Sequence, residues 1–430
     1  MSPAIEPANH EGTRRRDSET ATSVESVISN MSRARAAKYA AVVGVGALIA
    51  GCAENAPQDT FQPEGTNAQK IDDLARPVFY IAGIVGVIVM GVIGWVVFRY
   101  RDRGQPIPEQ THGKPALEIA LTILPALILI GVAIPTVGTI MALNETDDTE
   151  CVVNVTGQQW WWEFDYPVQD GCMPGGITEP IITSGQMVIP ADTNVLIRGT
   201  SRDVIHSFWI PRLNGKRDMV PGRVHNLRMQ ANEPGIYAGQ CAEFCGLSHA
   251  NMRMEVAALT DEGFAQWVDN QLADYTPPED GTVAAEGEAS FIANCSRCHQ
   301  VNGLEDDTGN PIVARPDLQV YSGAAPNLTN LMTRTDFAGA TWSLLRDECR
   351  EDVWEAESSA FTDRYLEGVT EDCFNEVDLR EWLRNSPAKK PMYADPEELE
   401  ETDGLYRGMP YLALSEDQID QLLAYLLERK

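Results

Sequence analysis

Two runs of metal-binding residue types stand out in this chain of 430 residues. The first run, CAEFCGLSHANM, contains Cys241, Cys245, His249 and Met252. Thiolates and thioethers select soft metals and imidazole also binds copper, so this combination indicates a copper site. The two cysteines alone would be typical of a disulfide. The histidine and methionine that follow favour a metal, and His206, at the end of a predicted strand upstream, could supply a second imidazole.

The second run is CSRCH, in which Cys295, Cys298 and His299 form the C-x-x-C-H signature of covalent c-type haem attachment. The two thiols add to the vinyl groups of the haem, and the adjacent imidazole then reaches the iron from one side. A zinc site or a redox-active cysteine pair is the alternative. The motif does not identify the ligand on the opposite side of the iron. The downstream candidates are Met332, Met392 and Met409.

Folded elements must position these residues, and the first are two apolar segments. Residues 78–98 contain no charge, and residues 117–143 contain only Glu118. At about 1.5 Å per helical residue, both can cross a hydrocarbon core of roughly 30 Å. We predict a transmembrane hairpin, with a buried core helix pair as the alternative. The basic connection is predicted to be cytoplasmic, which places both outer flanks on the other side of the membrane. Its basic residues are Arg99, Arg101, Arg103 and Lys114.

The N-terminal residues have the pattern of a targeting segment. Basic residues precede an apolar stretch over residues 39–50, which is followed by Gly51 and Cys52. We predict a signal peptide over residues 1–51, with Met31 as an alternative start. The run LIAGC resembles a bacterial lipobox, which would make Cys52 a lipid-modified residue. Residues 52–143 would then form the lipid-anchor segment and the transmembrane hairpin. A buried helix with an incidental cysteine is the alternative.

Beyond the hairpin the sequence pattern changes twice. Residues 144–273 contain short alternating runs separated by Gly and Pro, which predicts a β-sandwich or barrel. The polar, Pro-containing stretch over residues 274–285 is predicted to be a linker. Residues 286–430 are predicted to form a helical domain, whose last helix begins with a capping box of Ser415 and Gln418. The apolar stripe of that helix consists of Ile419, Leu422, Leu423 and Leu426.

Composition restricts the partners and the redox setting. The chain has 63 acidic and 33 basic residues and a net charge of −30, whereas a phosphate backbone selects basic surfaces. We therefore expect no nucleic-acid partner. Nine cysteines are many for a reduced chain. Two local pairs, Cys151 with Cys172 and Cys349 with Cys373, predict disulfides, with free buried thiols as the alternative.

The chain resembles subunit II of haem–copper cytochrome c oxidases over roughly residues 70–260. The features that carry the resemblance are the hairpin, the runs QWWWEFDYP, VIHSF and RDMVPGR, and the copper run. The resemblance implies a cupredoxin-like β-sandwich that holds the dinuclear copper centre CuA. It implies that Cys241 and Cys245 bridge both coppers and that His206 and His249 each bind one. It also implies that Met252 is a weak ligand. Glu243 would bind through its carbonyl oxygen, and its carboxylate would face a magnesium site shared with subunit I.

The same resemblance assigns two further residues. Trp160 matches the family's electron-entry tryptophan, which is an exposed ring near CuA. For Trp162 we predict packing in the core instead. Glu118 resembles the carboxylate at the cytoplasmic mouth of a proton-uptake path, although a charged residue at a helix end can simply lie in the membrane interface. Leu121 stands where the family usually has Trp, and this departure weakens the proton-path assignment.

The C-terminal part resembles a class I cytochrome c. Gly287 and Phe291 precede CSRCH, and Met409-Pro410 is followed by the amphipathic helix. Met409 on its loop is our prediction for the second haem ligand, with Met392 as the alternative and Met332 as a packing residue. The predicted fold is therefore multidomain: a two-helix transmembrane hairpin, a cupredoxin-like β-sandwich and an all-α cytochrome c domain.

The resemblance implies a component of a terminal oxidase in a bacterial cell membrane, with the redox domains on the outer face. Electrons would pass from a donor cytochrome or a cytochrome bc complex through haem c and CuA to subunit I, where oxygen is reduced, with subunit III as a further partner. A free-standing copper–haem carrier or a copper-delivery lipoprotein is the alternative, and the hairpin with Glu118 argues against it. The nitrous-oxide reductase family also uses CuA, but six histidines are too few for its multi-copper site.

Overall fold

The computed structural model describes residues 56–104, 112–172, 175–304, 325–394 and 407–430. The predicted signal peptide over residues 1–51 and the predicted lipid site at Cys52 lie outside the described residues.

Two long helices, α1 (Thr66–Arg99) and α2 (Pro115–Leu143), are long and apolar enough to cross a membrane. Helix α1 begins before the apolar segment predicted at residues 78–98, because its polar first turns pack on the β-domain. There the Asn67 side chain is buried and donates a hydrogen bond to the carbonyl of Arg228 at 2.9 Å. Hydropathy marks only the apolar part of such a helix.

In the range predicted for the β-domain, residues 144–273, the described residues form ten strands. One sheet has five strands in the order β3-β2-β1-β5-β8, a second has three in the order β4-β10-β9, and β6 pairs with β7. Burial alternates along β1 as expected for a strand with one face on a core. The strands are β1 (Cys151–Gln158), β2 (Trp161–Tyr166), β3 (Ile181–Ser184), β4 (Gln186–Pro190), β5 (Val195–Ser201), β6 (His206–Phe208), β7 (Arg217–Met219), β8 (His225–Met229), β9 (Gly235–Gln240) and β10 (Arg253–Leu259).

Helix α3 (Asp261–Gln271) follows β10 inside the range predicted for the β-domain. Where the structure describes it, the C-terminal part is mainly helical, as predicted, but it also contains a short hairpin that the all-α prediction did not include. Its first described helix, α4, begins at Val283, inside the segment predicted as a linker over residues 274–285. The helices of this part are α4 (Val283–Asn294), α5 (Asp347–Trp354), α6 (Ser358–Leu366), α7 (Glu376–Arg384), α8 (Ser386–Lys389) and α9 (Glu416–Leu427), and the hairpin joins β11 (Asp336–Phe337) to β12 (Trp342–Ser343).

Helices α4 and α9 cross in close contact. A Cβ atom at Gly287 would lie 2.0 Å from the carbonyl oxygen of Gln421, so the crossing requires glycine. The rings of Phe291 and Tyr425 pack beside it with centroids 5.4 Å apart. The predicted capping box of Ser415 forms, and the predicted apolar stripe of α9 is buried.

Both predicted disulfides are present. Cys151 pairs with Cys172 at a Cα–Cα distance of 4.3 Å, which ties the start of β1 to the loop after β2. Cys349 pairs with Cys373 at 5.8 Å and connects α5 to the segment before α7. The two apolar helices, the β-sandwich and the C-terminal helices confirm the predicted multidomain fold.

Candidate metal centres

The predicted copper ligands converge at one end of the β-sandwich. Within the described residues, donor atoms of His206, Cys241 and Cys245 lie within 4.8 Å of one another, and all three residues are buried. The two Sγ atoms are 3.9 Å apart. The carbonyl oxygen of Glu243 lies 3.3 Å from Sγ of Cys241.

Imidazole and thioether groups surround this sulfur pair. Nδ1 of His206 lies 3.9 Å from Sγ of Cys241, and Nδ1 of His249 lies 3.5 Å from Sγ of Cys245. Sδ of Met252 lies 3.7 Å from the same Cys245 sulfur. Each sulfur thus has its own imidazole, and the donor set fits two copper ions that share both thiolates.

The backbone holds the ligand loop against strand β6. The amide of Cys241 donates to the carbonyl of Met252 at 2.9 Å, and the amide of Ala242 donates to the carbonyl of Ser207 at 3.0 Å. His206 begins β6, and the edge of the buried Trp162 ring packs on its imidazole with centroids 5.8 Å apart. The packing prediction for Trp162 is confirmed. Because the loop is fixed at both ends, the donor atoms keep their spacing.

The two thiols differ in acidity. A hydrogen bond from the Cys245 thiol, helped by one with His206, lowers the pKa of Cys241 well below the usual range of a thiol. The same hydrogen bond and burial raise the pKa of Cys245. The metal-free pair therefore holds one proton between two sulfurs, and a metal ion that binds both thiolates must displace that proton.

The predicted exposure of Trp160 is wrong. Its side chain is only 2% exposed, because the ring of Tyr393 from the C-terminal part packs on it at a centroid distance of 5.4 Å. Nε1 of Trp160 donates a hydrogen bond to the carbonyl oxygen of Cys245 at 3.0 Å. The indole does contact the copper loop, as the sequence predicted, but it is covered.

Three residues near the copper loop were missed by the sequence analysis. The carboxylate of Asp203 contacts the ring of His206, and its place in the run DVIH was the available signal. Lys390 and Tyr393, from the C-terminal part, contact Trp160, which lies more than two hundred residues away along the chain. No local sequence pattern reports such a contact.

The CSRCH run has the features needed to attach haem. Cys295 and Cys298 are free thiols among the described cysteines. Nδ1 of His299 lies 2.8 Å from the carbonyl oxygen of Pro326, which orients the ring so that Nε2 points away from that carbonyl. Burial lowers the pKa of His299, so its imidazole is held neutral, as an iron ligand must be.

The methionine candidates occupy different surroundings. Met332 is fully buried in a 3₁₀ turn, Leu331–Thr333, which agrees with its predicted packing role. Met409 is partly buried, and its carbonyl accepts a hydrogen bond from the Ser386 hydroxyl at 3.0 Å. Met392 lies close by, since a Cβ atom at Gly408 would be 2.6 Å from its sulfur.

Glu118 lies in the first turn of α2. Its carboxylate accepts a hydrogen bond from the amide of Lys114 at 3.0 Å, which satisfies a donor at the helix N-terminus. Much of the basic connection between the two long helices, residues 105–111, lies outside the described residues.

Comparison with known proteins gives a consistent result. Residues 151–259 match the family described as cytochrome c oxidase subunit II, periplasmic domain, and residues 56–138 match its transmembrane domain. The chain is 31% identical over 394 residues to cytochrome c oxidase subunit 2 of Alkalihalophilus pseudofirmus, covering 89% of this chain and 94% of that protein. It is 32% identical over 346 residues to the subunit 2 of Bacillus sp. strain PS3, covering 77% and 79%.

Among solved structures, the chain is similar to the periplasmic domain of subunit II of the cytochrome oxidase of Bradyrhizobium japonicum. The two share 29% identity, and the match covers 30% of this chain and 96% of that one with a TM-score of 0.26.

Proposed function

The chain belongs to the cytochrome c oxidase subunit II family, and we propose that it conducts electrons from a donor through haem c and a dinuclear copper centre to the oxygen-reducing subunit. As a family member it is a component of an oxidoreductase whose catalytic site lies on another subunit. One observation carries the proposal: two imidazoles, a thioether and a carbonyl oxygen each lie 3.3 to 3.9 Å from one of two thiol sulfurs, which are themselves 3.9 Å apart.

Each donor has a role in this proposal. Cys241 and Cys245 would together hold two copper ions, and His206 and His249 would each supply one imidazole. Met252 is a weak ligand, and Glu243 contributes its carbonyl oxygen. When bound, a centre of this type accepts one electron shared between two metals. The protein's own contribution is a loop fixed by backbone hydrogen bonds, which keeps the donor atoms in place when the charge changes.

The C-terminal part would hold one covalent haem c on Cys295, Cys298 and His299, with Met409 as the second ligand. The neutral, oriented ring of His299 and the glycine-dependent crossing of α4 and α9 support this assignment. The match to the Alkalihalophilus protein supports it too, since coverage of 89% of this chain must extend well beyond the copper domain. A haem bound there would take one electron from the donor.

The membrane elements complete the proposal. The chain is anchored by α1 and α2, and the basic connection between them would face the cytoplasm, which places the copper and haem domains on the outer face. Subunit I is the main partner in this proposal, and the further partners are subunit III and a donor that is a cytochrome or a cytochrome bc complex. The proposal also includes a lipid on Cys52, a magnesium site at Glu243 and a proton path at Glu118. The match to the transmembrane domain supports an oxidase subunit over a free-standing carrier.

Purification of the complex from its own membrane tests the proposal. We expect the chain to copurify with a large polytopic subunit, two copper ions and one covalent haem per copy, and to consume oxygen with a reduced cytochrome. Topology is checked by labelling a cysteine introduced at Gln105 in intact cells, where no label should be incorporated. A chain that purifies alone and donates electrons to no oxygen-reducing subunit would contradict the proposal.

A further inference from the structure

The C-terminal part covers the copper loop with a segment defined by residues 390–394, which we name the cover segment. The side-chain nitrogen of Lys390 is buried, with 3% of the residue exposed, and donates hydrogen bonds to the carbonyls of Trp160 at 2.9 Å and Ala338 at 2.8 Å. The hydroxyl of Ser248, next to the ligand His249, donates to the carbonyl of Pro391 at 2.5 Å. The cover segment is thus bonded to the copper loop at Ser248 and to the backbone of Trp160 beside that loop.

A second contact reinforces the cover. In the turn between β11 and β12, the hydroxyl of Thr341 donates to the carbonyl of Asn251 at 2.9 Å, and the carbonyl of Gly339 accepts from the amide of Arg253 at 3.0 Å. Gly339 has φ +76, and a Cβ atom there would lie 2.8 Å from the carbonyl oxygen of Trp160, so the close approach requires glycine.

Two aromatic rings, those of Trp160 and Tyr393, pack against each other between the copper loop and the C-terminal part. The indole of Trp160 is bonded on one side to the carbonyl of Cys245 and packs on the other against the ring of Tyr393. Tyr393 belongs to the C-terminal part, and its carbonyl accepts from the amide of Arg407 at 2.9 Å. Arg407 lies two residues before Met409 in the chain.

The two segments that pair at Tyr393 and Arg407 also contain two of the methionine candidates, Met392 and Met409. Tyr393 follows Met392 directly, and the Tyr393–Arg407 bridge brings Gly408 against the Met392 side chain, which leaves no room for a Cβ atom. A continuous run of bonded and packed atoms therefore extends from the Met409 loop through Tyr393 and Trp160 to Cys245. Electronic coupling falls much faster across empty space or water than through bonded and packed atoms, so such a run is a favourable electron path.

We propose that Tyr393 is the residue through which electrons pass from the haem domain to Trp160 and the copper loop, and that the cover segment closes Trp160 to external cytochromes. The proposal rests on the function proposed above. It follows that an external donor reduces the haem domain first, and that the copper centre receives electrons only from within the chain.

Rapid kinetics on the intact purified complex test the path. Soluble reduced cytochrome c is the probe, and the haem band and the near-infrared copper band are followed separately. We expect Tyr393→Leu to slow copper reduction by the haem about tenfold, equal to ~1.4 kcal/mol of activation free energy, with the first haem reduction unchanged. Tyr393→Phe keeps the ring and should stay close to wild type. Tyr411→Leu, which replaces a 61% exposed tyrosine of the same domain, is the matched control.

Hydrogen–deuterium exchange on the same complex tests the cover without measuring activity. Peptides over residues 158–162 and 245–249 should exchange slowly in wild type and faster in Lys390→Met, which leaves two buried carbonyls without their donor. Unchanged exchange in Lys390→Met would overturn the cover, and an unchanged internal rate in Tyr393→Leu with intact haem and copper spectra would overturn the path. Absence of either cofactor signal in wild type would instead count against the proposed function.

Discussion

The carboxylate of Asp203 lies 2.8 Å from Nε2 of His206, while Nδ1 of the same ring faces the sulfur of Cys241 at 3.9 Å. The carboxylate is itself fixed, since it accepts a hydrogen bond from the amide of Gln159 at 2.8 Å and its side chain is only 3% exposed. A proton on Nε2 is therefore held by the carboxylate, and the Nδ1 lone pair is directed toward the metal position.

Replacing Asp203 with Asn should weaken copper binding because an amide holds the His206 tautomer less firmly than a carboxylate does. We expect copper affinity to fall about 10- to 100-fold, the usual cost of losing a partner that orients a metal-bound imidazole. Competition with a copper chelator measures it. Asp269→Asn on the exposed face of α3 is the control and should leave the affinity unchanged. Equal affinity in both variants would show that Asp203 does not orient the ligand.

Replacing Cys245 with Ser should abolish the dinuclear copper site, since this sulfur contacts Cys241, His249 and Met252. We expect the mixed-valence electron paramagnetic resonance signal to disappear while the haem spectrum stays intact. Metal analysis should give two copper ions per wild-type chain. One copper per wild-type chain with a mononuclear spectrum would refute the dinuclear assignment.

The copper ligands were predictable because most of them lie in one short loop. Residue types and spacing over Cys241 to Met252 specify a soft-metal site before any folding is considered, and the structure brings His206 to it across the β6 edge. The length of α1 was less predictable. Hydropathy identifies only the residues that contact lipid, whereas the first turns of α1 are polar and pack on protein.

The burial of Trp160 could not be predicted from the sequence. Its neighbours in the chain are the aromatic residues of β2, and their pattern is the same whether the outer face of the ring meets solvent or protein. The residues that cover it, Lys390 and Tyr393, come from the C-terminal part of the chain and act through single contacts with no periodicity. Long-range contacts of this kind are set by how distant parts of the chain pack together, which local propensity does not determine.

A buried pair of carboxyl groups should make stability depend on pH. Burial, and then the neighbouring Glu255 carboxylate, raise the pKa of Asp336 well above its ordinary value of 3.8. The folded chain therefore holds a proton that the unfolded chain releases, and the stability this supplies is full below pH 3.8 and is lost as the pH rises through the raised pKa. The free energy of unfolding should fall over that interval.

The Asp336→Asn variant separates this effect from other titrations. An amide can donate a hydrogen bond to Glu255 at every pH, so the part of the pH dependence that comes from Asp336 should disappear. Denaturant unfolding of the intact protein between pH 4 and pH 8 measures it. Asp347→Asn, at the exposed start of α5, should keep the wild-type slope. A slope that is identical in all three proteins would contradict the shared-proton interpretation.

The second haem ligand is predicted to be Met409 rather than Met392. Met409 lies on a loop that is fixed by the Ser386 hydroxyl and followed by the capped helix α9, so its thioether can be held against a haem on the opposite side from His299. A thioether opposite imidazole raises the reduction potential of the iron.

Met409→Ala should therefore remove the far-red sulfur-to-iron absorption band and lower the haem potential in a redox titration. Covalent attachment through Cys295 and Cys298 should survive. Met392→Ala is the matched variant, since Met392 and Met409 lie on the two segments joined by the Tyr393–Arg407 bridge. If the band persists in Met409→Ala and is lost in Met392→Ala, the assignment reverses.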